Sequence, residues 1–524
     1  MSGKEGSSGE PDYDYIIIGS GFGGSVSAMR LAQKGYCVLV IEKGKKYESG
    51  DFPTSNWHFK KHLWFPALRW FGIMNLTFFK RLFVLSGVGV GGGSLVYANT
   101  LMEPTEPFYH HIPIKTKDWK MVLRPYLDLA RKMLGVTKAK NQYADDQLLL
   151  AVANEMGKGN TFQAVEVGVY YDDDRTPRDP YFNGEGPLRT PCIECAGCMI
   201  GCRHNAKNTL DKNYLWFAQK YGAIVLPETE AFRIQFHFPS GHYHVECKSS
   251  TRRASRQSFT SAGLIISGGV LGTLNLLMRQ KFKYKTLPLL SNLLGQHILS
   301  NSESISGIIG ANQKLNHGIA ISSLMQADEN TQVELCKFPD GSGSLFRLAF
   351  LAAGDGHSLK RIAKVLLNVL VHPKRFIKWI WSGHDAKHGV VVLVMQNLKN
   401  ALSMKWNGKK MSLSTGLSEE PIPVFIPSGF EVMNRLAKNT NGVAVHAMTE
   451  TFLNMATTAH ILGGCPMGED VESGVVNEYF AVHQYPNMYI LDGSIIPANI
   501  GVNPSLTITA LAEYAMDHIA QKSI

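Results

Sequence analysis

Nowhere in the 524 residues is there an uncharged apolar run of 18 or more, so no segment has the length of a bilayer-crossing helix. Met1 to Tyr15 is polar and lacks the basic start, apolar core and small-residue cleavage site of a secretory leader. That makes the cytoplasm the expected location. Charged residues are only 18% of the chain, and neither an Arg-rich arm nor a known nucleic-acid module appears, which sets nucleic acid aside as a partner. Of the eight cysteines, Cys37, Cys247, Cys336 and Cys465 are scattered, a poor pattern for a secreted disulfide framework. Internal repeats are missing too, and nothing reads as a linker between independent folds. One body with two interleaved lobes is expected.

What is present is apolar and glycine-rich: 44% hydrophobic residues and 50 glycines, enough for a large core with many close backbone approaches. The net charge of +10 is compatible with an anionic membrane surface or with a merely solvated exterior. Tyr13 to Ile18 reads as a buried strand, Gly19-Ser20-Gly21-Phe22-Gly23-Gly24 as a glycine turn, Ser25 to Lys34 as a helix, and Tyr36 to Glu42 as a second strand ending in an acid. In that context the glycines fit a dinucleotide-binding turn. Gly19 makes the bend, Gly21 admits a pyrophosphate, Gly24 allows close helix–strand packing, and Glu42 accepts from ribose hydroxyls. A glycine turn in an ordinary α/β unit would leave Glu42 unexplained.

Two segments combine aromatic and basic residues. Asn56 to Phe83 interleaves Trp57, Phe59, Trp64 and Trp70 with Lys60, Lys61, Arg69, Lys80 and Arg81. Ser358 to Trp381 repeats Leu359, Ile362, Leu366 and Leu370 at helical spacing until Pro373 interrupts it. Both have the makeup of interfacial anchors flanking a substrate entrance; the competing expectation is ordinary core helices with solvated charges. Gly389 to Met395 and Leu402 to Leu413 read as strands, the latter a hairpin about Asn407-Gly408. Asn487 to Gly493 reads as a strand, and Asn503-Pro504 opens the last helix.

Gly87 to Asn99, with its run Gly91-Gly92-Gly93-Ser94, then His460 to Cys465, then Leu491-Asp492-Gly493 with Gly501-Val502-Asn503-Pro504, resemble in order and spacing the glucose–methanol–choline (GMC) flavin oxidoreductases, and among them the cholesterol-oxidase-like branch. With the first strand-turn-helix they reach from residue 13 to 517. The resemblance implies an α/β fold in which an FAD-binding, Rossmann-type parallel sheet domain (10–50, 84–110, 187–300 and 450–524) is interleaved with an α+β substrate domain carrying a mainly antiparallel sheet (51–83, 111–186 and 301–449). It implies FAD, with Gly92, Gly93 and Ser94 wrapping the flavin and its diphosphate. Tyr97, Ala98 and Asn99 would lie beside the isoalloxazine, Ala231 would face the adenine, and Asp492 and Gly493 would hold the ribityl side.

By the same resemblance, His460 and Asn503 form the catalytic pair, one taking the hydroxyl proton and the other aiming the alcohol so that its carbon faces the flavin. Glu303 is expected as a third polar group on the substrate side. The implied reaction is oxidation of a sterol, steroid or similar apolar alcohol. Two alternatives stand beside it: a related dehydrogenase of a non-steroid long-chain or terpenoid alcohol, and a membrane-associated lipid-binding flavoprotein without turnover. Ser267 to Met278 follows the larger members' second signature only loosely, which argues against a simple sugar or choline.

Cys192, Cys195, Cys198 and Cys202 stand as C-x₂-C-x₂-C-x₃-C, the spacing of ferredoxin runs, although Arg203 rather than Pro follows and there is no second run. Three readings are open: an iron–sulfur cluster, a structural zinc, or reduced and regulatory thiols. A cluster would imply a protein or quinone electron acceptor.

Overall fold

The computed structural model describes residues 10–140, 142–252, 255–382, 385–414 and 422–523. β1 (Tyr13–Ile18) is buried on both faces from Tyr15 onward, as a central strand must be. It pairs in parallel with β2 (Val38–Ile41) on one side and with Arg256–Ile266 on the other. Ile224–Leu226 extends the sheet in parallel beyond β2. The long strand Arg256–Ile266 divides its far edge. Its first half pairs antiparallel with His242–Ser249, which pairs in turn with Thr229–His237, while its second half pairs in parallel with Met488–Ile490. The sheet is therefore mixed, with a parallel centre, rather than parallel throughout. The helix α1 (Phe22–Gln33) returns across it and packs on the final helix Ser505–Asp517.

A second sheet of seven strands is antiparallel at every pairing, with Ser304–Ile309, Val390–Gln396 and Thr331–Cys336 at its centre. Its alternation explains what each face does. Val390, Val392 and Val394 join Val333 and Leu335 under the helices Ala144–Glu155 and Pro427–Asn439. The intervening Val391 and Leu393 turn to the opposite face, where they line the large cavity between the two sheets. Glu334 and Cys336, alternating with Val333 and Leu335, share that face.

The hairpin about Asn407-Gly408 forms as expected, Ser403–Trp406 against Met411–Ser414. The first aromatic segment folds into short ribbons, Trp64–Phe65 against Trp70–Phe71 and Met74–Phe78 against Leu82–Gly87. The second forms two helices, Ser358–Val371 and Pro373–Trp381, parted at His372-Pro373. No helix among the described residues is long and apolar enough to cross a membrane.

Candidate active site

A cavity of about 800 Å³ opens at the carboxyl ends of β1 and β2 and runs to the cavity-facing side of the antiparallel sheet. Its near end is lined by Gly19, Gly21, Glu42 and Ala231, its middle by Gly92, Gly93, Tyr97 and Ala98 with Asp492 and Gly493, and its far end by His460 and Asn503. The two critical glycines of the first turn differ in kind. A Cβ on Gly24 would lie 2.0 Å from the Gly19 carbonyl oxygen, whereas one on Gly21 would meet nothing within 4 Å. Gly24 is needed for helix–strand contact; Gly21 keeps the cavity open above the N-terminus of α1, where free N–H groups favour phosphate. The open cradle at Gly21, continuous with the rest of the cavity, fits a dinucleotide cofactor.

Glu42 accepts from the Ser20 N–H at 3.1 Å, the Ser20 hydroxyl at 2.7 Å and the Gly44 N–H at 2.8 Å, which fixes its carboxylate at the cavity wall. Asp492 accepts from Thr273 Oγ1 at 2.5 Å and the Ser494 N–H at 2.8 Å, and burial raises its pKa. Ser94, Asn99 and Gly24 are brought to the same region without lining the cavity. The Ser94 hydroxyl donates to the Gly91 carbonyl at 2.7 Å and accepts from the Leu210 N–H at 3.1 Å, and so shapes the loop. Tyr97 donates to the Asn208 carbonyl at 2.7 Å.

The polar groups at the far end are set by one turn. Asn301 and Ser302 hold φ of 53° and 45°, left-handed values that cost non-glycine residues about 1 kcal/mol or more each. The Asn301 side chain accepts from the Gly501 N–H at 2.9 Å and donates to the Val502 carbonyl at 3.0 Å, clamping the loop that carries Asn503. The next residue but one, Glu303, is fully buried. Its Oε2 accepts from the Ala459 N–H at 2.7 Å, and its Oε1 meets His460 Nδ1. Glu303 therefore stands behind the imidazole, not on the substrate side where the sequence suggested. Burial pulls the His460 pKa down, but the Glu303 carboxylate, with a smaller contribution from Glu334, offsets this and the net displacement is upward.

A fourth group went unnoticed in the sequence. Glu334 is buried and its pKa is pushed up to about 7 by burial, against the opposing pull of His460, Asn503 and Gln332. Asn503 Nδ2 donates to it at 3.4 Å and Gln332 Nε2 at 3.0 Å. Since only the NH₂ end of an amide can donate to a carboxylate, Asn503 Oδ1 is left as the free end, and it is buried without a partner. A second glycine turn, Gly268-Gly269-Val270-Leu271-Gly272, also lines the cavity. Its G-G-x-x-G pattern after a strand was the available signal.

The four clustered cysteines line a separate cavity of about 20 Å³. Positive φ at Glu194, Ala196 and Gly201 kinks their loop so that Cys195 faces solvent while Cys198 is buried. Burial raises the pKa of both Cys192 and Cys198. Among the described residues no group of three or more His, Cys, Asp or Glu side chains is placed to hold a metal ion. The iron–sulfur and zinc expectations thus find no fit, because ligand spacing along a chain does not by itself bring sulfurs to one point. Lys207 ties this loop to the cavity wall, donating to the carbonyls of Cys198, Tyr97 and Leu95 at 2.7, 2.8 and 3.0 Å.

The sequence profile of GMC oxidoreductases matches residues 398–512, and that of an NAD(P)-binding Rossmann-like domain matches residues 17–53. A cholesterol oxidase of Acinetobacter baumannii is 38% identical, the match covering 98% of this chain and 95% of that one. A cholesterol oxidase of Mycobacterium tuberculosis is 39% identical over 97% of this chain and 91% of its own. Among solved structures, a formate oxidase of Aspergillus oryzae superimposes with a TM-score of 0.62 at 13% identity, covering 98% of both chains.

Proposed function

This chain belongs to the GMC oxidoreductase family, and we propose that it oxidises the hydroxyl of a sterol or closely similar apolar alcohol in an FAD-dependent reaction. The observation that carries the reading is the joint placement of His460 and Asn503 at the far end of a cavity whose near end fits a dinucleotide. The likeness to two cholesterol oxidases over nearly the whole chain supports the substrate class. A binding protein without turnover would not need a buried acid behind its histidine.

When bound, FAD supplies the two-electron acceptor for the carbinol hydrogen. Gly19, Gly21, Glu42 and Ala231 would hold its adenine half, and Gly92, Gly93, Tyr97, Ala98, Asp492 and Gly493 its flavin half. The chain's own groups manage the proton. Glu303 accepts the Nδ1 hydrogen of His460 and so leaves Nε2 as a lone pair. The substrate hydroxyl gives its proton to Nε2 while the second hydrogen of the Asn503 NH₂, the one not given to Glu334, donates to the hydroxyl oxygen, and Glu334 keeps the Asn503 amide from turning. Loss of the O–H proton makes departure of the C–H hydrogen with its electron pair easier; a base so positioned contributes typically ~10²–10⁴-fold. The apolar walls Val391, Leu393 and Ile305 exclude water from this step.

The two interleaved lobes divide the work on this reading, with the mixed sheet under the cofactor and the antiparallel sheet under the substrate. No step runs through Cys192, Cys195, Cys198 or Cys202. The test is anaerobic titration of the FAD-loaded protein with 3-hydroxysteroids. Bleaching of the flavin absorption by a sterol is expected; bleaching by long-chain or terpenoid alcohols alone would reassign the substrate, and none at all would remove the activity.

A further inference from the structure

Among the described residues two lysines are fully buried, Lys337 and Lys207, and they are held differently. Lys337 pairs with Asp145 at 2.8 Å. Lys207 enters no ion pair with a described residue; its Nζ donates instead to the main-chain carbonyls of Cys198, Tyr97 and Leu95 at 2.7, 2.8 and 3.0 Å. That geometry fixes its protonation state. A neutral amine has two hydrogens and would turn its lone pair on the third carbonyl, whereas the ammonium donates to all three. Burial pulls the Lys207 pKa down, so the charge is kept at a cost that a buried cation ordinarily offsets with an anion.

The neighbours do not supply that anion. Arg189, 2% exposed, donates from Nη2 to the Lys207 carbonyl at 2.7 Å and from Nε to that of Asn205 at 2.9 Å, and it too has no carboxylate partner among the described residues. The groups whose charge reaches Lys207 are Cys198, Cys202, Lys212 and Asp211, and the repulsion of Lys212 outweighs the attraction of Asp211. Burial holds Cys198 as a thiol. Three cations, Arg189, Lys207 and Lys212, thus stand against one carboxylate behind the cavity wall. The wall between is thin. Lys207 Nζ lies 4.7 Å from the centroid of the Tyr97 ring, and Tyr97, Ala98 and Met199, at or beside its carbonyl acceptors, line the cavity. The basic residues that line the cavity themselves, Lys43, His62, Arg279, Arg347 and His460, all come from other segments.

We infer that Lys207 is the electrostatic counterpart of cofactor reduction, a buried cation set behind Tyr97 that stabilises the negative charge FAD gains when it accepts the hydride. The inference rests on the FAD-dependent reaction proposed above. A hydride carries two electrons and one proton, so the cofactor gains one net negative charge, while the hydroxyl proton goes to His460 and the alcohol leaves as the carbonyl compound. A fixed charge already in place, with water excluded, needs no rearrangement when the new charge appears. Lys207 does not line the large cavity, so it acts through its field and not by contact. Its three carbonyl bonds then have a second purpose, holding the charge at a set place behind the flavin loop.

The experiment is anaerobic reduction of the FAD-loaded protein in equilibrium with a reference dye of known potential, with no alcohol present. The wild type should favour reduced over oxidised flavin at least ~10-fold more than free FAD does, a midpoint about 30 mV higher for a two-electron couple. Lys207→Met and, separately, Lys207→Gln should each lower that equilibrium at least ~10-fold while keeping FAD bound. The pair separates charge from clamping: glutamine brings an NH₂ end that still donates to carbonyls but carries no charge, so a structural clamp alone would leave it near the wild type. A Lys207→Gln midpoint equal to wild type would overturn the inference. So would a wild-type midpoint at or below that of free FAD, a result that needs no variant to fold. A raised wild-type midpoint that both variants lose, with no bleaching by any sterol, would refute the substrate reading alone, and a protein that takes up no FAD would remove both.

Discussion

Glu303→Gln isolates the proton machinery, because it keeps the shape of the side chain and removes only its charge and its acceptor-only character. Glu303 accepts from two donors at once, the Ala459 N–H and His460 Nδ1. Glutamine brings one acceptor and one NH₂ end. If its oxygen keeps Ala459, its NH₂ meets Nδ1 and forces the imidazole hydrogen onto Nε2, the atom that must be free to take the substrate proton. If it turns to keep Nδ1–H, two N–H groups face each other at Ala459. A hydrogen bond to a charged group contributes about 1.5–3 kcal/mol, so at 1.4 kcal/mol per tenfold the rate of flavin reduction should fall roughly 10–150-fold. FAD binding should not change. The carboxylate also raises the His460 pKa against burial. Without it only the weaker pull of Glu334 opposes burial, and the limb of the pH–rate profile on which His460 loses its proton should move to lower pH. Stopped-flow reduction without oxygen, across pH, reads both effects. His460→Ala combined with Glu303→Gln should be no slower than His460→Ala alone. Additive losses, or a Glu303→Gln rate equal to wild type, would refute the claim that Glu303 acts through His460.

Two further outcomes follow from burial and backbone geometry. Gly21→Val should give a folded but colourless protein, because its side chain enters the open dinucleotide cradle, whereas Gly24→Ala should lower the melting temperature, because its Cβ would sit 2.0 Å from a carbonyl oxygen; flavin absorbance and thermal unfolding separate the two. Glu450 is buried with its pKa raised to about 8 by burial, so the folded state holds a proton that the unfolded chain gives up near the ordinary value of about 4.3. Its contribution is fully present below that value and is lost as pH rises towards 8. Glu450→Gln should therefore gain stability relative to wild type between pH 5 and pH 9 in urea unfolding, and a constant difference across that range would contradict the assignment.

The parts of this molecule legible in the sequence are those where a backbone requirement leaves a residue-level trace. The first turn announces itself because Gly24 must admit a carbonyl and Gly21 must admit a ligand, and a strand and an acid frame them. His460 and Asn503 were legible only through family motifs, since nothing local marks a histidine or an asparagine as facing a cavity. The partners that make them work are long-range contacts that leave no such trace. Glu303 reaches a residue 157 positions away and Glu334 one 169 away, and in the sequence each is a lone acid, Glu303 between two serines and Glu334 between Val333 and Leu335. The alternation of Gln332-Val333-Glu334-Leu335-Cys336 fixes which face Glu334 takes, but only the register with Val390–Gln396 reveals that this face looks into the cavity. The cysteine run misled for the opposite reason: a spacing that matches a ligand set constrains the chain, not the directions in which its sulfurs point. With Leu359, Leu366 and Leu370 the period was right, since all three fall on the helix Ser358–Val371, but a helix stripe looks the same in a sequence whether it turns inward or outward, and here all three side chains are exposed.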